Sequence, residues 1–276
     1  MHDNVLLNET AALVEGKLGS QLDDLRVDRA VFGLFFSGVK LNNGCGGLAF
    51  TPIKEMPEAV CCPGSARAMP LSGQLAGRPI REYLADLGSP NVLKKALAVA
   101  VLNALSAACW RAETESGYEM VIGRDAFDEA RIPDQGLTVV IGALVPMLKR
   151  LIKKGADFRV LEQDPKTLKP AEMPYFLPAD RAGEVVPKAD LLVITGVTIL
   201  NGTLPDLLRM AKPGAEIIVT GPTASMLPDS FFKRGVTVLG GILATKADEL
   251  LDLISEAGSG YHFFGKCAER IIIRSR

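Results

Sequence analysis

The sequence predicts two parts: a smaller α+β domain over residues 1–115, followed by a mainly parallel α/β sheet domain over residues 116–276. At 276 residues the chain is long for a single core. Its second half alternates short, continuous apolar runs with helical segments. Its first half instead places two apolar runs close together across turn residues, which predicts antiparallel pairing.

Five buried strands are predicted in the second half, at residues 138–141, 158–161, 191–195, 216–220 and 237–239. Helical segments between them provide the crossovers that parallel strands require. Further strands are predicted at residues 119–122 and, at an edge, at 270–273. This alternation predicts a Rossmann-like sheet, whose ligands bind outside the carboxyl ends of the strands.

The first half is predicted to be a small antiparallel meander packed on helices. Strands are expected at residues 30–36 and 47–51, with the turn sequence Asn42-Asn43-Gly44 between them. A long helix capped by Asn91 is apolar almost all round, which predicts a central position. Asn103 interrupts its apolar surface, and we expect this side chain to bond to a neighbouring loop.

Charge and composition narrow the partners to a small-molecule ligand. The net charge of −1 offers no basic excess for a nucleic acid. The most apolar stretch, residues 96–109, is too short to span a bilayer, which argues against a membrane protein. The N-terminus shows no secretory signal, and the scattered cysteines fit a reducing, cytoplasmic compartment. Formation of a homo-oligomer is left open.

Metal chemistry has weak support in the residues themselves. The chain has two histidines, His2 and His262, so a histidine-based catalytic metal site is nearly excluded. The five cysteines lack any CxxC pair, and we expect no tetrahedral zinc on cysteine but buried, inert thiols. A divalent metal or metal chelate, if it is the ligand, is expected on carboxylate, carbonyl or ligand oxygens. The cofactor is otherwise unknown.

The first two strand ends offer a generic nucleotide pattern. Gly142 permits a tight turn into a helix, where the amides of Ala143 and Leu144 are expected to form an anion site. Glu162 follows at the interval usual for an acidic residue that holds a ribose diol. The full glycine fingerprint is missing, and simple solvation of the strand end is the preferred explanation of Glu162, with ribose or other polyol binding as the alternative.

The later strand ends are rich in small polar residues. Thr195 and Gly196 end one strand, and Asn201 follows them, so we favour ligand binding for Thr195 and Asn201. Thr203 has the pattern of a helix N-cap, with Asp206 three residues later. The next strand ends in the candidate residues Gly221, Pro222 and Thr223, for which a ligand contact and simple turn chemistry are equally good explanations.

Lys40 is the candidate site residue in the first half. It lies among apolar residues and near several glycines. One interpretation is a cationic clamp for a carboxylate or phosphate, which projects into a cleft where Glu162, Thr195, Asn201 and Thr223 converge. The other is an edge charge that discourages aggregation.

Stretches in both halves of the sequence resemble a known family. VFGLFFSGVKLNNGCGGLAFTP, with VAVLNALSA, resembles the N-terminal domain that accompanies the "putative heavy-metal chelation" family of unknown function. VVIGALVPMLKRLIKKGADFRVLEQDP, DLLVITGVTILNGTLPDLL and IVTGPTASMLPDSFFKRGVTVLGG are similar to its main domain. The resemblance implies an enolase-N-terminal-like α+β domain, a Rossmann-like domain and a site between them. It also implies the handling of a metal or metal chelate, in tetrapyrrole or siderophore-like metabolism. The residues at family motif positions are Lys40, Glu162, Thr195, Asn201, Thr203, Gly221, Pro222 and Thr223.

Three functions therefore remain open from the sequence. The first is an enzyme or chelate-handling protein with its site in the interdomain cleft. The second is an enzyme that uses NAD or S-adenosylmethionine on the Rossmann-like half. The third is a sensor or carrier that binds the same ligand without chemistry, a function favoured by the lack of a recognisable nucleophile arrangement.

Overall fold

A computed structural model describes residues 4–56, 68–112 and 117–276. The first part of the chain contains helices α1 (Val5–Leu18), α2 (Gln21–Asp24), α3 (Ile80–Leu84) and α4 (Val92–Ala112), and strands β1 (Val27–Phe32), β2 (Phe36–Leu41) and β3 (Gly46–Phe50). The three strands form an antiparallel sheet in the order β1-β2-β3, here called the meander. This antiparallel arrangement is the one predicted from the short turns.

Helix α4 is the central helix of the first part. Asn91 caps it, because its Oδ1 accepts hydrogen bonds from the amides of Leu93 and Lys94, both at 3.1 Å. The helix packs closely on β3: a Cβ at Gly47 would lie 2.2 Å from the carbonyl oxygen of Ala100. Helix α4 is long and apolar enough to cross a membrane, but 78% of its most apolar window is buried inside the protein. It is therefore a core helix.

The second part contains a sheet of eight strands. Its elements are β4 (Tyr118–Ile122), α5 (Ala126–Glu129), β5 (Leu137–Ile141), α6 (Val145–Lys154), β6 (Phe158–Glu162), β7 (Phe176–Pro178), α7 (Ala182–Val185), β8 (Ala189–Thr195), α8 (Val197–Leu200), α9 (Leu204–Met210), β9 (Glu216–Thr220), α10 (Asp229–Phe232), β10 (Val238–Ala244), α11 (Ala247–Ser255), α12 (Gly260–Phe263) and β11 (Ala268–Ser275). The five predicted buried strands are all present and lie side by side.

The strand order of this sheet is β4-β11-β10-β9-β8-β5-β6-β7. All neighbours from β10 to β7 are parallel, whereas β11 is antiparallel both to β10 and to β4. The fold is thus a mainly parallel, Rossmann-like sheet preceded by a smaller α+β part, as predicted. The chain leaves β5 toward β6 on one side and returns to β8 on the other, which makes the β5–β8 boundary the topological switch point.

The prediction of a single strand over residues 30–36 is wrong. Gly33 lies between β1 and β2, and its amide donates to the carbonyl of Phe36 at 2.9 Å to form a tight turn. A Cβ at Gly33 would lie 2.1 Å from the carbonyl oxygen of Ile254, so this turn packs directly against the end of α11. Strand β2 therefore starts at Phe36 and contains Lys40.

Candidate functional site

A cleft of about 470 Å³ lies at the carboxyl edge of the parallel strands. Its floor is made of the strand-end segments 143–146, 195–197, 220–223 and 240–242. The meander contributes the side chains of Phe36 and Phe50 to its wall. The segments that precede α5, form α12 and begin β11 complete the lining. The cleft therefore lies between the two parts of the protein and spans the topological switch point.

The floor is held in place by a side chain from the first part. Asn103 on α4 is buried, and its Nδ2 donates to the carbonyls of Leu48 at 2.7 Å, Thr223 at 3.1 Å and Pro222 at 3.2 Å. The Oγ1 of Thr223 in turn accepts the amide hydrogen of Phe50 at 3.0 Å. The meander and the β9 turn thus share one buried network, which confirms the structural role expected for Asn103.

Five of the predicted site residues line the cleft together: Thr195, Gly196, Gly221, Pro222 and Thr223. The amide of Gly196 donates to the carbonyl of Thr220 at 2.7 Å, which ties the ends of β8 and β9 together. Gly221 has φ 130°, a conformation that favours glycine, and little surrounds the position where its Cβ would be. The backbone of these turns therefore forms a smooth floor.

The turn after β5 does not form the predicted anion site. The amide of Ala143 donates to Glu162 Oε2 at 2.9 Å, and the amide of Leu144 donates to the carbonyl of Gly142 at 2.8 Å. Both donors are thus bound within the protein. Gly142 is required here for a close approach, since a Cβ would lie 2.7 Å from Cγ2 of Thr195.

Glu162, Asn201 and Thr203 lie outside the cleft lining. The Oε1 of Glu162 accepts the amide of Gln163 at 2.8 Å, so both of its oxygens bind backbone amides. Asn201 Oδ1 accepts from the amide of Thr203 at 3.1 Å and from its hydroxyl at 2.7 Å. The hydroxyl of Thr203 makes no cap to α9, which corrects that prediction. These three residues stabilise their own turns.

Lys40 also lies outside the cleft lining. Its Nζ is 2.8 Å from Asp248 Oδ2 and 3.1 Å from Asp28 Oδ2. The hydrogen bond to Asp248 and then that to Asp28 raise the pKa of Lys40 above its usual range. The expectation that Lys40 projects into the cleft is therefore wrong, because two carboxylates hold its ammonium group against α11.

The charged side chains of the cleft come from elements that sequence patterns did not single out. Strand β11 runs antiparallel to β10, so Arg270 near its start lies at the carboxyl edge, opposite Ile242. Its guanidinium carbon lies 3.8 Å from the centroid of the Phe264 ring, and its Nε lies 3.1 Å from Asp125 Oδ2. Arg124 and Tyr261 complete this group. The strand predicted at residues 270–273 was the available signal, but its direction was not predicted. It is also not an edge strand, because β10 and β4 pair with its two sides.

Family models match most of the chain. The model of the DUF364 family, described as "Putative heavy-metal chelation", matches residues 125–273, more than half of the chain. The protein belongs to the DUF364 family. The DUF4213 model, which carries the same description, matches residues 16–106. These matches confirm the resemblance found in the sequence.

Three relatives of this DUF364 member illustrate the similarity. An uncharacterized protein of Methanocaldococcus jannaschii is 28% identical over 189 residues, which cover 67% of this chain and 68% of that protein. A crystal structure of a DUF364 protein from Pyrococcus horikoshii is 21% identical, with a TM-score of 0.76 over 98% of this chain and 99% of that one. A DUF364 structure from Desulfitobacterium hafniense DCB-2 is 19% identical, with a TM-score of 0.71 over 97% and 99%. The two crystal structures share the fold.

A bare metal ion does not fit the described residues of this DUF364 member. Nowhere in residues 4–56, 68–112 and 117–276 do three His, Cys, Asp or Glu side chains group as ligands. The one carboxylate of the cleft lining, Asp125, accepts the amide of Phe127 at 3.0 Å and faces Arg270. Cys45, Cys109 and Cys267 are buried, as expected, and burial raises the pKa of the Cys45 and Cys267 thiols. The predictions that concern His2, Cys61 and Cys62 lie outside the described residues.

Proposed function

We propose that the protein binds a small organic molecule in the cleft between the meander and the carboxyl edge of the parallel sheet. The observation that carries this proposal is the position of the cleft. It spans the switch point of an open α/β sheet, where such folds bind their ligands. Its volume of about 470 Å³ suits a small molecule. The lining is largely apolar and glycine-rich, with threonines at the strand ends and charged side chains near β11.

Any metal handled here enters as part of its organic ligand. The family description points to chelation, but the described residues of the cleft offer no set of side chains that could replace the donors of a chelator. A tetrapyrrole-like or siderophore-like molecule already supplies its own donor atoms. We therefore favour recognition of a chelator, with or without its metal, over direct coordination by the protein.

The contacts favour this function over binding of NAD or S-adenosylmethionine. In nucleotide-binding Rossmann folds, turn amides after the first strand hold phosphate and an acidic side chain holds the ribose. Here the amide of Ala143 binds Glu162, and Glu162 is itself used by backbone donors. Both recognition elements are thus satisfied before a nucleotide arrives. The described lining includes no cysteine, histidine or lysine, so a carrier without covalent chemistry remains an equal form of the proposal.

The decisive experiment is to fill part of the cleft with a larger side chain and to measure ligand binding. Val197 lines it and is half-buried, so Val197→Phe should occupy the space above the floor. We expect calorimetry against NAD, S-adenosylmethionine, free chelators and iron-loaded chelators to identify a chelator as the tight binder. Val197→Phe should weaken that binding by roughly tenfold or more. The matched control is Val5→Phe, at an exposed position on α1 away from the cleft.

Two outcomes would contradict the proposal. Equal loss of affinity in both variants would show that the added ring acts through stability and not through the cleft. Unchanged affinity in Val197→Phe would place the ligand elsewhere. Turnover assays with the ligand that binds then separate an enzyme from a carrier.

A further inference from the structure

We infer that the cleft selects a flat, conjugated organic anion, with the anionic group on Arg270 and the ring system against the aromatic side chains of the rim. This inference rests on the function proposed above and names the ligand class of that site. It depends on three features of the described residues: a guanidinium held in place by its neighbours, a net positive lining, and a rim of aromatic side chains. The rim consists of Phe36, Phe50, Phe127, Tyr261 and Phe264, of which Tyr261 is exposed and the others are half-buried.

Arg270 is held in place by its neighbours, but its guanidinium group keeps hydrogen-bond donors for a ligand. Its guanidinium lies over the Phe264 ring at 3.8 Å, and its Nε faces Asp125 at 3.1 Å. Neither terminal nitrogen bonds a protein group within the described part of the chain, and 45% of the side chain is exposed. The two Nη atoms of a guanidinium donate hydrogen bonds in a fixed, planar fork that matches a carboxylate. The stacking therefore presents this fork to the cleft.

The other charged side chains that line the cleft do not neutralise the positive charge of Arg270. Asp125 uses Oδ1 to cap α5 through the amide of Phe127, and its Oδ2 faces Arg270 Nε. Arg124 also lines the cleft, and its Nη2 lies 2.7 Å from Glu129 outside the lining. Among the described residues, the charged side chains of the lining are therefore two arginines and one aspartate. This balance attracts an anion and disfavours a cation of the same shape.

The rim adds the preference for a flat ring system. Five aromatic side chains line the cleft, out of 11 phenylalanines, four tyrosines and one tryptophan in the chain: Phe36, Phe50, Phe127, Tyr261 and Phe264. Tyr261 is 89% exposed, whereas its helix neighbour Phe263 is fully buried. Packing within the described part of the protein does not explain why the large Tyr261 ring is exposed to solvent. Stacking on a conjugated ligand would bury it next to the positive end of the cleft.

The test uses three probes of matched size: 2-naphthoate, 2-naphthamide and decalin-2-carboxylate. The first is flat and anionic, the second is flat and neutral, and the third is anionic but not flat. We expect calorimetry at low ionic strength to show 2-naphthoate bound at least about fivefold more tightly than either of the others. Val197→Phe should weaken 2-naphthoate binding, which places the probe in the cleft.

Variants then assign the two features to residues. Arg270→Gln should lower the affinity for 2-naphthoate by roughly tenfold and leave that for 2-naphthamide within about twofold. Arg270→Lys should restore part of the loss, because it keeps the charge but not the fork. Tyr261→Ala should weaken both flat probes and leave decalin-2-carboxylate unchanged. Arg159→Gln is the matched control, since Arg159 is a similarly exposed arginine on β6, 2.8 Å from Asp157 and outside the cleft.

The outcomes separate the ligand class from the proposed function. Equal binding of 2-naphthamide and 2-naphthoate, no 2-naphthoate binding at millimolar concentration, or an unaffected Arg270→Gln variant would overturn the inference about the ligand. The proposed function would survive those results if another molecule bound to the parent protein and Val197→Phe weakened its binding. Binding of every ligand unaffected by Val197→Phe would instead overturn the proposed function.

Discussion

The two ends of the carboxyl edge differ in whether their binding groups already have partners within the protein. On the β5–β6 side, defined by Gly142, Ala143, Leu144 and Glu162, the amide of Ala143 binds the Glu162 carboxylate and the amide of Leu144 binds the carbonyl of Gly142. On the β10–β11 side, defined by Arg124, Asp125, Tyr261, Phe264 and Arg270, a guanidinium fork and an aromatic ring face the cleft. The first side carries the sequence pattern associated with ligands, whereas the second carries the groups still able to bind one.

The difference follows from where the polar groups find partners. A buried amide or carboxylate must be hydrogen-bonded, and a group satisfied within the protein gains little from a ligand. Glu162 satisfies this requirement across the β5–β6 boundary. At Arg270 on the antiparallel strand β11, the described residues supply a single acidic contact, that of Asp125 with Nε. We therefore expect ligand recognition on the β10–β11 side, which no nucleotide fingerprint marks.

The largest effect is expected from removing the network that supports both sides. Asn103→Ala would leave the carbonyls of Leu48, Pro222 and Thr223 without their shared donor in a buried place. We expect the free energy of unfolding in urea to fall by about 2–3 kcal/mol. Ser106→Ala, on the same helix, is the control and should have a smaller effect, because Ser106 accepts one amide, that of Leu227. A loss below about 0.5 kcal/mol in Asn103→Ala would mean that the turns of the cleft floor keep their structure without the hydrogen bonds from Asn103.

A medium effect on stability alone is expected at Glu162. Glu162→Gln replaces a carboxylate oxygen that accepts a backbone amide with a group that donates. The free energy of unfolding should fall by about 1–2 kcal/mol, while the affinity for the cleft ligand stays within about twofold. Calorimetry and urea unfolding on the same sample measure both. A large loss of affinity with unchanged stability would reverse the comparison and return the β5–β6 side to ligand binding.

The smallest effect is expected at Lys40. Lys40→Met should leave ligand affinity unchanged, because the ammonium group is held by Asp248 and Asp28 outside the cleft. The folded-state pKa of Lys40 is raised, so its contribution to stability is complete below the unfolded value of 10.5 and is lost as the pH rises through the folded value. The difference in thermal midpoint between Lys40→Met and the parent should therefore be constant from about pH 6 to about pH 9. A drop in affinity would show that the cationic clamp exists after all.

The sequence was informative wherever the determining forces are local. The periodicity of apolar residues located the five parallel strands, and the turn Asn42-Asn43-Gly44 located the β2–β3 connection. The cap at Asn91 also followed from a local rule. The sequence predicted that Asn103 needs a partner, but the partners themselves, Leu48 and the turn at Thr223, lie far away in the chain. The strand ends brought Thr195 and Thr223 into one cleft, because carboxyl ends of parallel strands share an edge. The break at Gly33 was missed, since the apolar run continues through a turn that only the packing of α11 reveals.

The sequence by itself therefore determined the parallel sheet, the order of strands and helices along the chain, and the edge of the sheet at which the cleft lies. Only the tertiary structure decided which polar groups at that edge remain available. That choice depends on partners far away in the chain: Glu162 with the turn at Ala143, Lys40 with Asp248, and Arg270 with Asp125 and Phe264. A charge or amide seen in sequence shows what it is able to bind. The long-range contact that satisfies it, or leaves it open, is a property of the folded chain alone.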